Sequence, residues 1–406
     1  MQKKLIALAI AGLVSAPAFA QSSVTIYGTL DYGYTVQNNH VGNYAGSFGV
    51  GNVDRTGRPG ARQGLDSGVS KANRIGFKVT EDLGNGLKVI GVLENGLAGD
   101  KTETGILNGT ARQSYAALAG GFGTVAFGRH YTPQHLFQSA VDPFSANGVG
   151  SSANVLVKDQ RLSNLVAYIS PSWGGFSFIT AYTNSYEADE SVDNKSLSLL
   201  NLRDTRVIAF APSFTVNGLF VGLNYHQAKF NMQNTGVEHL RVTEGYVSYD
   251  FGPVKVGALY GQRKTALNDD PAATTTTGLN ADTDLKLTQW LVGATWKISA
   301  NDSLLVSYVG RKFDFGDLAG GDLADAKVGQ WAIGYEHALS KRTALYAHYA
   351  AQHQNSNQRV AGYDGGGTLE AALGVAGWRA SGVGLSNIGG TTGYRQGVGI
   401  GLRHDF

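Results

Sequence analysis

From residue 21 onward the chain repeats one pattern to its end. Segments of about ten residues alternate apolar with polar side chains, and turns rich in Gly, Pro and Asn separate them. In Leu287–Ile298, Trp290, Val292, Ala294, Trp296 and Ile298 share one face, and Gln289, Gly293, Thr295 and Lys297 share the other. Val328–Leu339 sets Trp331, Ile333, Tyr335 and Leu339 against Gln330, Gly334 and Glu336. Thr243–Phe251 sets Val247, Tyr249 and Phe251 against Glu244, Tyr246, Ser248 and Asp250. A period of two is the period of a strand, and two chemically different faces mean a half-buried sheet.

A soluble sandwich has the same alternation, so other features must decide the setting. Strands of about ten residues, tilted by ~40°, span ~25 Å of apolar thickness, whereas soluble strands average about five to six. Aromatic residues collect beside short turns, at Phe122, Trp173, Phe176, Phe214, Phe251 and Trp296. An interfacial girdle belongs there. Connections also alternate between short and long. Seven short turns fall at Leu83–Gly86, Gly120–Gly123, Pro171–Gly175, Pro212–Gly218, Phe251–Pro253, Ser299–Ser303 and Ser340–Arg342. Eight longer polar stretches interleave with them, the first at about Gln37–Ser70 and the last at about Gln354–Thr392. Together these join sixteen strands with both termini at the short-turn end, as a closed bacterial barrel requires. The expected fold is all-β, a transmembrane 16-stranded antiparallel β-barrel.

Lys3 and Lys4, the apolar stretch from Leu5 and the Ala18-Phe19-Ala20 motif before Gln21 predict a cleaved signal peptide over residues 1–20 and a mature barrel over 21–406. No later run of about eighteen apolar residues suggests a membrane helix. Without Lys3 and Lys4 the 33 basic residues fall to the same number as the 31 acidic ones, which argues against a nucleic-acid partner. Fifty-six glycines against eight prolines suit many strands and tight turns, and the absence of cysteine agrees with export.

Specific motifs recur in order: Ser23–Asp31, Asn73–Lys78, Glu81–Leu87, Arg112–Leu118, Phe122–Arg129 and the terminal Gly401–Phe406. In these the mature chain resembles the Gram-negative general porins, especially the trimeric porins of β-proteobacteria. The resemblance implies a homotrimer in the outer membrane, in contact with lipid and lipopolysaccharide. It implies a third loop folded into each lumen, here about residues 131–160. The long first and last loops depart from the family pattern, and Asp142-Pro143-Phe144 is the nearest acidic–Pro–aromatic motif in the third loop.

Sixteen strands enclose a lumen too wide for side chains to fill, so a water-filled channel for ions and small hydrophilic solutes is expected. Arg74 shares a parity with Lys78 and Asp82, opposite Ile75, Phe77 and Val79. It therefore faces water, since arginine at mid-membrane on the lipid side costs about 2–4 kcal/mol. Arg74 and Arg112 fall on the family's basic constriction positions, and Arg161 follows by its place just after the loop. Asp142 and Glu94 are the candidate acids opposite them, with Asp31 and Asp159 weaker. Fixed positive charge in excess predicts a mild anion preference. The small residues Ala117 and Ala119, beside Gly120 and Gly121, are read as an outward patch at a trimer interface. The last strand places Val398, Ile400, Leu402, His404 and Phe406 on one face and ends on Phe406, which reads as a signal to the barrel-assembly machinery.

Two other classes compete, a barrel with a preferred substrate and a barrel enzyme. The chain has no G-x-S-x-G elbow and no catalytic pairing among its nine histidines. No catalytic residue and no cofactor is expected. Gly148–Ala153 is a short glycine pattern with no following helix expected, so it is no dinucleotide site. Acids at Glu187, Asp189, Glu190 and Asp193, and at Asp317, Asp322 and Asp325, could hold a divalent cation, but solvated loop acids explain them more simply, so no metal site is assigned.

Overall fold

The computed structural model describes residues 22–40, 60–97, 99, 111–144, 148–156, 161–184, 206–229, 237–267, 285–314, 326–354 and 396–406. The expected signal peptide, Asp159 and both acidic loop clusters lie outside them. Seventeen strand segments form one antiparallel sheet. They are β1 Ser23–His40, β2 Gly60–Ser67, β3 Arg74–Gly84, β4 Leu87–Gly96, β5 Ala111–Gly120 and β6 Gly123–Tyr131. After a helix α1 at Pro133–Val141 come β7 Arg161–Ile169, β8 Phe176–Thr183, β9 Arg206–Val216, β10 Leu219–Lys229, β11 Val237–Asp250 and β12 Val254–Leu267. The remainder are β13 Leu285–Lys297, β14 Asp302–Asp314, β15 Ala326–Ala338, β16 Thr343–Gln354 and β17 Gln396–Asp405.

Seventeen segments occupy sixteen barrel positions, because β2 and β3 share one. Along a single edge of β1, Tyr32–His40 pairs with β2 and Ser23–Thr29 pairs with β3. Along its other edge β1 pairs with β17, which closes the barrel. The backbones of Gly28 and Phe406 exchange hydrogen bonds of 3.0 and 3.1 Å at the seam. A side chain at Gly28 would strike the Phe406 ring.

All seven short turns are present. Asn85-Gly86 and Asn217-Gly218 both take positive φ, the conformation a two-residue hairpin turn demands and that Asn-Gly supplies. The turn expected from Pro212 thus contracts to Asn217-Gly218. Pro212 lies inside β9, where the β9–β10 pairing steps from Gly222↔Ser213 to Tyr225↔Phe210 with no pairs between, consistent with the missing N–H.

The sheet is apolar outside and polar inside. Val24, Ile26, Leu93, Phe127, Ile208, Leu223, Val292 and Ile400 are exposed outward, as are all six expected girdle aromatics. Inward positions on the same sheet include Thr35, Asn224, His226, Gln289 and Gln330, all buried. Soluble packing cannot leave so many large apolar side chains uncovered, whereas lipid covers them.

Ala117 and Ala119 are a correction. Counting by twos from an inward Arg112 turns them outward. In the structure Glu94 pairs with Gln113 and Asn95 with Ala111, so Arg112 is the extra residue of a β-bulge and the parity flips there. Ala117 pairs with Ile90 on the lumen face and is 5% exposed, while Leu118 points outward.

The connection from Tyr131 to Arg161 has secondary structure of its own. Thr132 caps α1 by accepting from the backbone N–H of His135 (3.1 Å), Pro133 fills the first turn, and a 3₁₀ turn follows at Ser152–Asn154. Phe137 and Val141, four apart on one helix face, join Val155 and Leu156 in an apolar cluster with Tyr246, Leu259, Leu291 and Val309 on the inner wall. Burying each such side chain contributes about 1.5–3 kcal/mol. The wall makes room with glycines. Added β-carbons would strike Phe137 at Gly222, the Val141 backbone at Gly257, Pro143 at Gly293 and Phe144 at Gly334. Amides complete the attachment, with Gln134 donating to Glu244 (3.0 Å), Asn154 to Gln330 (3.3 Å) and Gln330 to the Ser151 carbonyl (3.1 Å). The described residues of this connection therefore pack against inward side chains of β9–β16.

Candidate functional site

Three elements deliver the three arginines. Arg74 opens β3 just after the break in the second barrel strand, Arg112 sits in the β5 bulge, and Arg161 opens β7. The structure brings them together. Arg112 donates through Nε to Glu94 Oε1 (2.6 Å) and through Nη2 to the Tyr131 hydroxyl (2.8 Å). Arg161 donates to the same hydroxyl (3.4 Å), with its guanidinium 4.8 Å from the centre of the Tyr131 ring. Arg74 Nη1 lies 3.9 Å from Glu94 Oε1. Tyr131 in turn stacks on His135 of α1, ring centres 4.4 Å apart, which ties the basic wall to the helix.

A second charged group lies in the same lumen. Arg403 of β17 grips Glu336 of β15 with two hydrogen bonds, 3.2 and 3.0 Å, and also donates to Ser70 Oγ (2.8 Å). His348 of β16 approaches Glu336 to 3.5 Å. The strand break at 68–73 turns inward because Asp31 holds it. The Asp31 carboxylate accepts from the backbone N–H of Ser70 (3.0 Å) and Lys71 (2.7 Å) and from Tyr346 (2.5 Å), while Asn73 accepts from the Asp31 N–H (2.6 Å). The break carries Lys71 into the lumen, where its ammonium meets Asp405 at 2.8 Å.

Between the two groups lies a cavity of about 320 Å³. Its wall side carries Lys71, Arg74, Arg112, Glu336 and Arg403, and its helix side carries Leu136, Ser139, Pro143 and Phe144. Of the three expected arginines, Arg74 and Arg112 line it, and Arg161 supports it through Tyr131. Lys71, Arg403 and Glu336 are not among the residues expected from the sequence. Strand parity offers a signal, since Arg403 lies on the face opposite Ile400 and Leu402.

The expected acids are placed differently from the arrangement read in the sequence. Glu94 is inward, but it lies among the arginines rather than across from them. It accepts from Arg112, from Tyr27 (3.0 Å) and from Gln113 (3.5 Å). Asp142 is buried, and its carboxylate accepts the N–H groups of Phe144 (2.8 Å) and Ser152 (3.3 Å) within the loop. Asp31 is spent on the strand break. Among the described residues no group of His, Cys, Asp and Glu could hold a metal ion.

A closed sixteen-position barrel with an apolar exterior and a polar lumen that holds a charged cavity defines a transmembrane channel. The Gram-negative porin family profile matches residues 7–358, and the chain belongs to that family. It is a porin of the Gram-negative outer membrane, and its work is passage rather than catalysis. Outer membrane porin protein 32 of Delftia acidovorans is 29% identical over 361 residues, covering 86% of this chain and 89% of that protein. An outer membrane porin protein of Bordetella pertussis is 29% identical over 375 residues, covering 86% of this chain and 93% of that protein. The fold is similar to the anion-selective porin from Comamonas acidovorans, with a TM-score of 0.68 at 24% identity over 95% of this chain and 100% of that one.

Proposed function

We propose that the channel passes ions and small hydrophilic solutes by passive diffusion with a mild preference for anions, and that its narrowest part is the cavity beneath α1. The observation that carries this is the charge of the cavity lining, with Lys71, Arg74, Arg112 and Arg403 against Glu336. Glu94 and Asp405 moderate the excess from behind, which keeps the preference mild. A ring of fixed positive charge favours anions. The reading gives Arg74 and Arg112 the basic face, Arg161 the support of Tyr131, and the loop at about 131–160 the narrowing. In a planar bilayer under a KCl gradient the reversal potential should lie on the chloride side, and a potassium-side value would refute the reading.

The same proposal includes a homotrimer, for which the fold similarity to OmpT of Vibrio cholerae, solved in a trimer form, is the support (TM-score 0.62, 15% identity). Mild-detergent crosslinking tests it. Export with cleavage before Gln21 is tested by intact mass. Phe406, seated on Gly28 at the seam, is proposed as the assembly signal, and its deletion should slow barrel insertion.

A further inference from the structure

The helix beside the cavity is unlike the wall across from it. Pro133–Val141 carries no carboxylate, lysine or arginine. One of its faces is consumed by the apolar cluster around Phe137 and Val141. Leu136, which also packs against the edge of that cluster, Ser139 and, just past the helix end, Pro143 recur at spacings of three and four and reach the cavity half-buried. Phe144, largely buried, adjoins them. The lumen thus offers the apolar surfaces of Leu136, Pro143 and Phe144, interrupted by Ser139, on one side and guanidinium groups on the other.

Arg74 has donors to spare. Its Nε bonds to the Ala72 carbonyl (3.2 Å), and its terminal nitrogens make no hydrogen bond to any described residue, with Glu94 3.9 Å away. A guanidinium fork with free N–H groups fits the two oxygens of a carboxylate. A small hydrated anion would use the charge and ignore the apolar surfaces. An anion with an apolar body would use both.

Resting on the reading of this cavity as the narrowest part of an anion-preferring pore, we propose that it holds organic monocarboxylates in preference to small polar anions of equal charge. The carboxylate meets Arg74 and Arg112 while the hydrocarbon body lies on Leu136, Pro143 and Phe144. A cavity of about 320 Å³ sits at the lower end of the range for small-molecule sites and admits a body of one ring.

The test uses the full-length protein in planar bilayers, carrying chloride current at neutral pH. Benzoate is the probe; acetate and gluconate are controls of equal charge, one small and one bulky but polar. Benzoate should reduce the chloride current at a concentration about tenfold below either control, the scale expected for covering a modest apolar area. Leu136→Ser, at a half-exposed position, should bring benzoate to within about threefold of acetate. Arg74→Ser should weaken all three acids together. If benzoate acts no more strongly than acetate while the reversal potential keeps its chloride-side value, this inference falls and the porin reading stands. A Leu136→Ser channel that retains the full difference overturns the placement on α1. A potassium-side potential removes both.

Discussion

The inner wall of this barrel has two arcs built on the same alternating pattern and used in opposite ways. At one end of β3, β5 and β7 the inward side chains include Arg74, Arg112 and Arg161, gathered around Glu94 and Tyr131. Along β10–β15 the inward positions hold Gly222, Gly257, Gly293 and Gly334 beside Leu259, Leu291 and Val309, and the inward arginines Arg263 and Arg311 are buried. The first arc faces water. The second is packed against α1 and the described residues that follow it, so it is an interface inside a channel. The difference shows that "inward" is not one environment: apolar residues break the alternation where a loop takes the place of solvent.

The largest effect should come from removing the charge of the first arc. Unit charges at 4 Å interact by about 1 kcal/mol in bulk water and about 4 kcal/mol at an effective dielectric of 20. A loss of one to two kcal/mol is a factor of roughly five to thirty in ion partitioning. Arg74→Ser with Arg112→Ser should therefore move the reversal potential toward potassium. The shift should shrink as salt rises and the Debye length falls from about 10 Å at 0.1 M to about 3 Å at 1 M. A double variant with the original potential at low salt would show that these arginines do not meet passing ions.

Next in size is an insult to the second arc. A side chain at Gly257 would meet the backbone of Val141, which cannot turn aside as a flexible side chain can. Overpacking of this kind costs about 1–3 kcal/mol. Gly257→Val should loosen the helix from the wall and raise conductance, and unaltered conductance would argue that the helix does not limit the lumen. Glu244→Ala should act in the same sense more gently. The carboxylate accepts from Gln134, Gln289 and Tyr246, and leaving such donors without an acceptor costs about 1–3 kcal/mol, part of it recovered because a buried charge is removed. Limited proteolysis at the loop would report the loosening.

Much of this is legible in the chain. Period two marks the strands, Asn-Gly marks two of the turns, and parity places Arg74 and Glu94 inside. What escapes depends on long-range or irregular geometry. The Arg112 bulge flips the parity of β5, and no local pattern announces it, so counting along the strand puts Ala117 and Ala119 on the wrong face. Arg403 and Glu336 each sit on a polar face, but their pairing spans β16 and needs the sheet registers. Lys71 reaches the lumen only because Asp31 turns the strand break inward. The helix has a readable signature in Thr132-Pro133 followed by Phe137 and Val141, which a search for period two passes over.

The smallest effect is expected at Asp142, and it separates the two arcs most cleanly. A carboxylate on the third loop reads from sequence as the negative partner of the arginines, so neutralising it should strengthen anion preference. In the structure Asp142 belongs to the covered side. It is 6% exposed, and it accepts the N–H groups of Phe144 and Ser152, which fold the loop back on itself after α1. Asparagine keeps a carbonyl oxygen for one of those groups, and the loss of one hydrogen bond to a carboxylate is at most about 1.5–3 kcal/mol. Asp142→Asn should therefore lower the thermal stability of the loop slightly and leave the low-salt reversal potential much closer to the original than the double arginine variant does. If it instead moves the potential toward chloride as far as the arginine pair moves it toward potassium, the carboxylate acts directly on passing ions. The charged arc would then have an acidic counterpart on the loop.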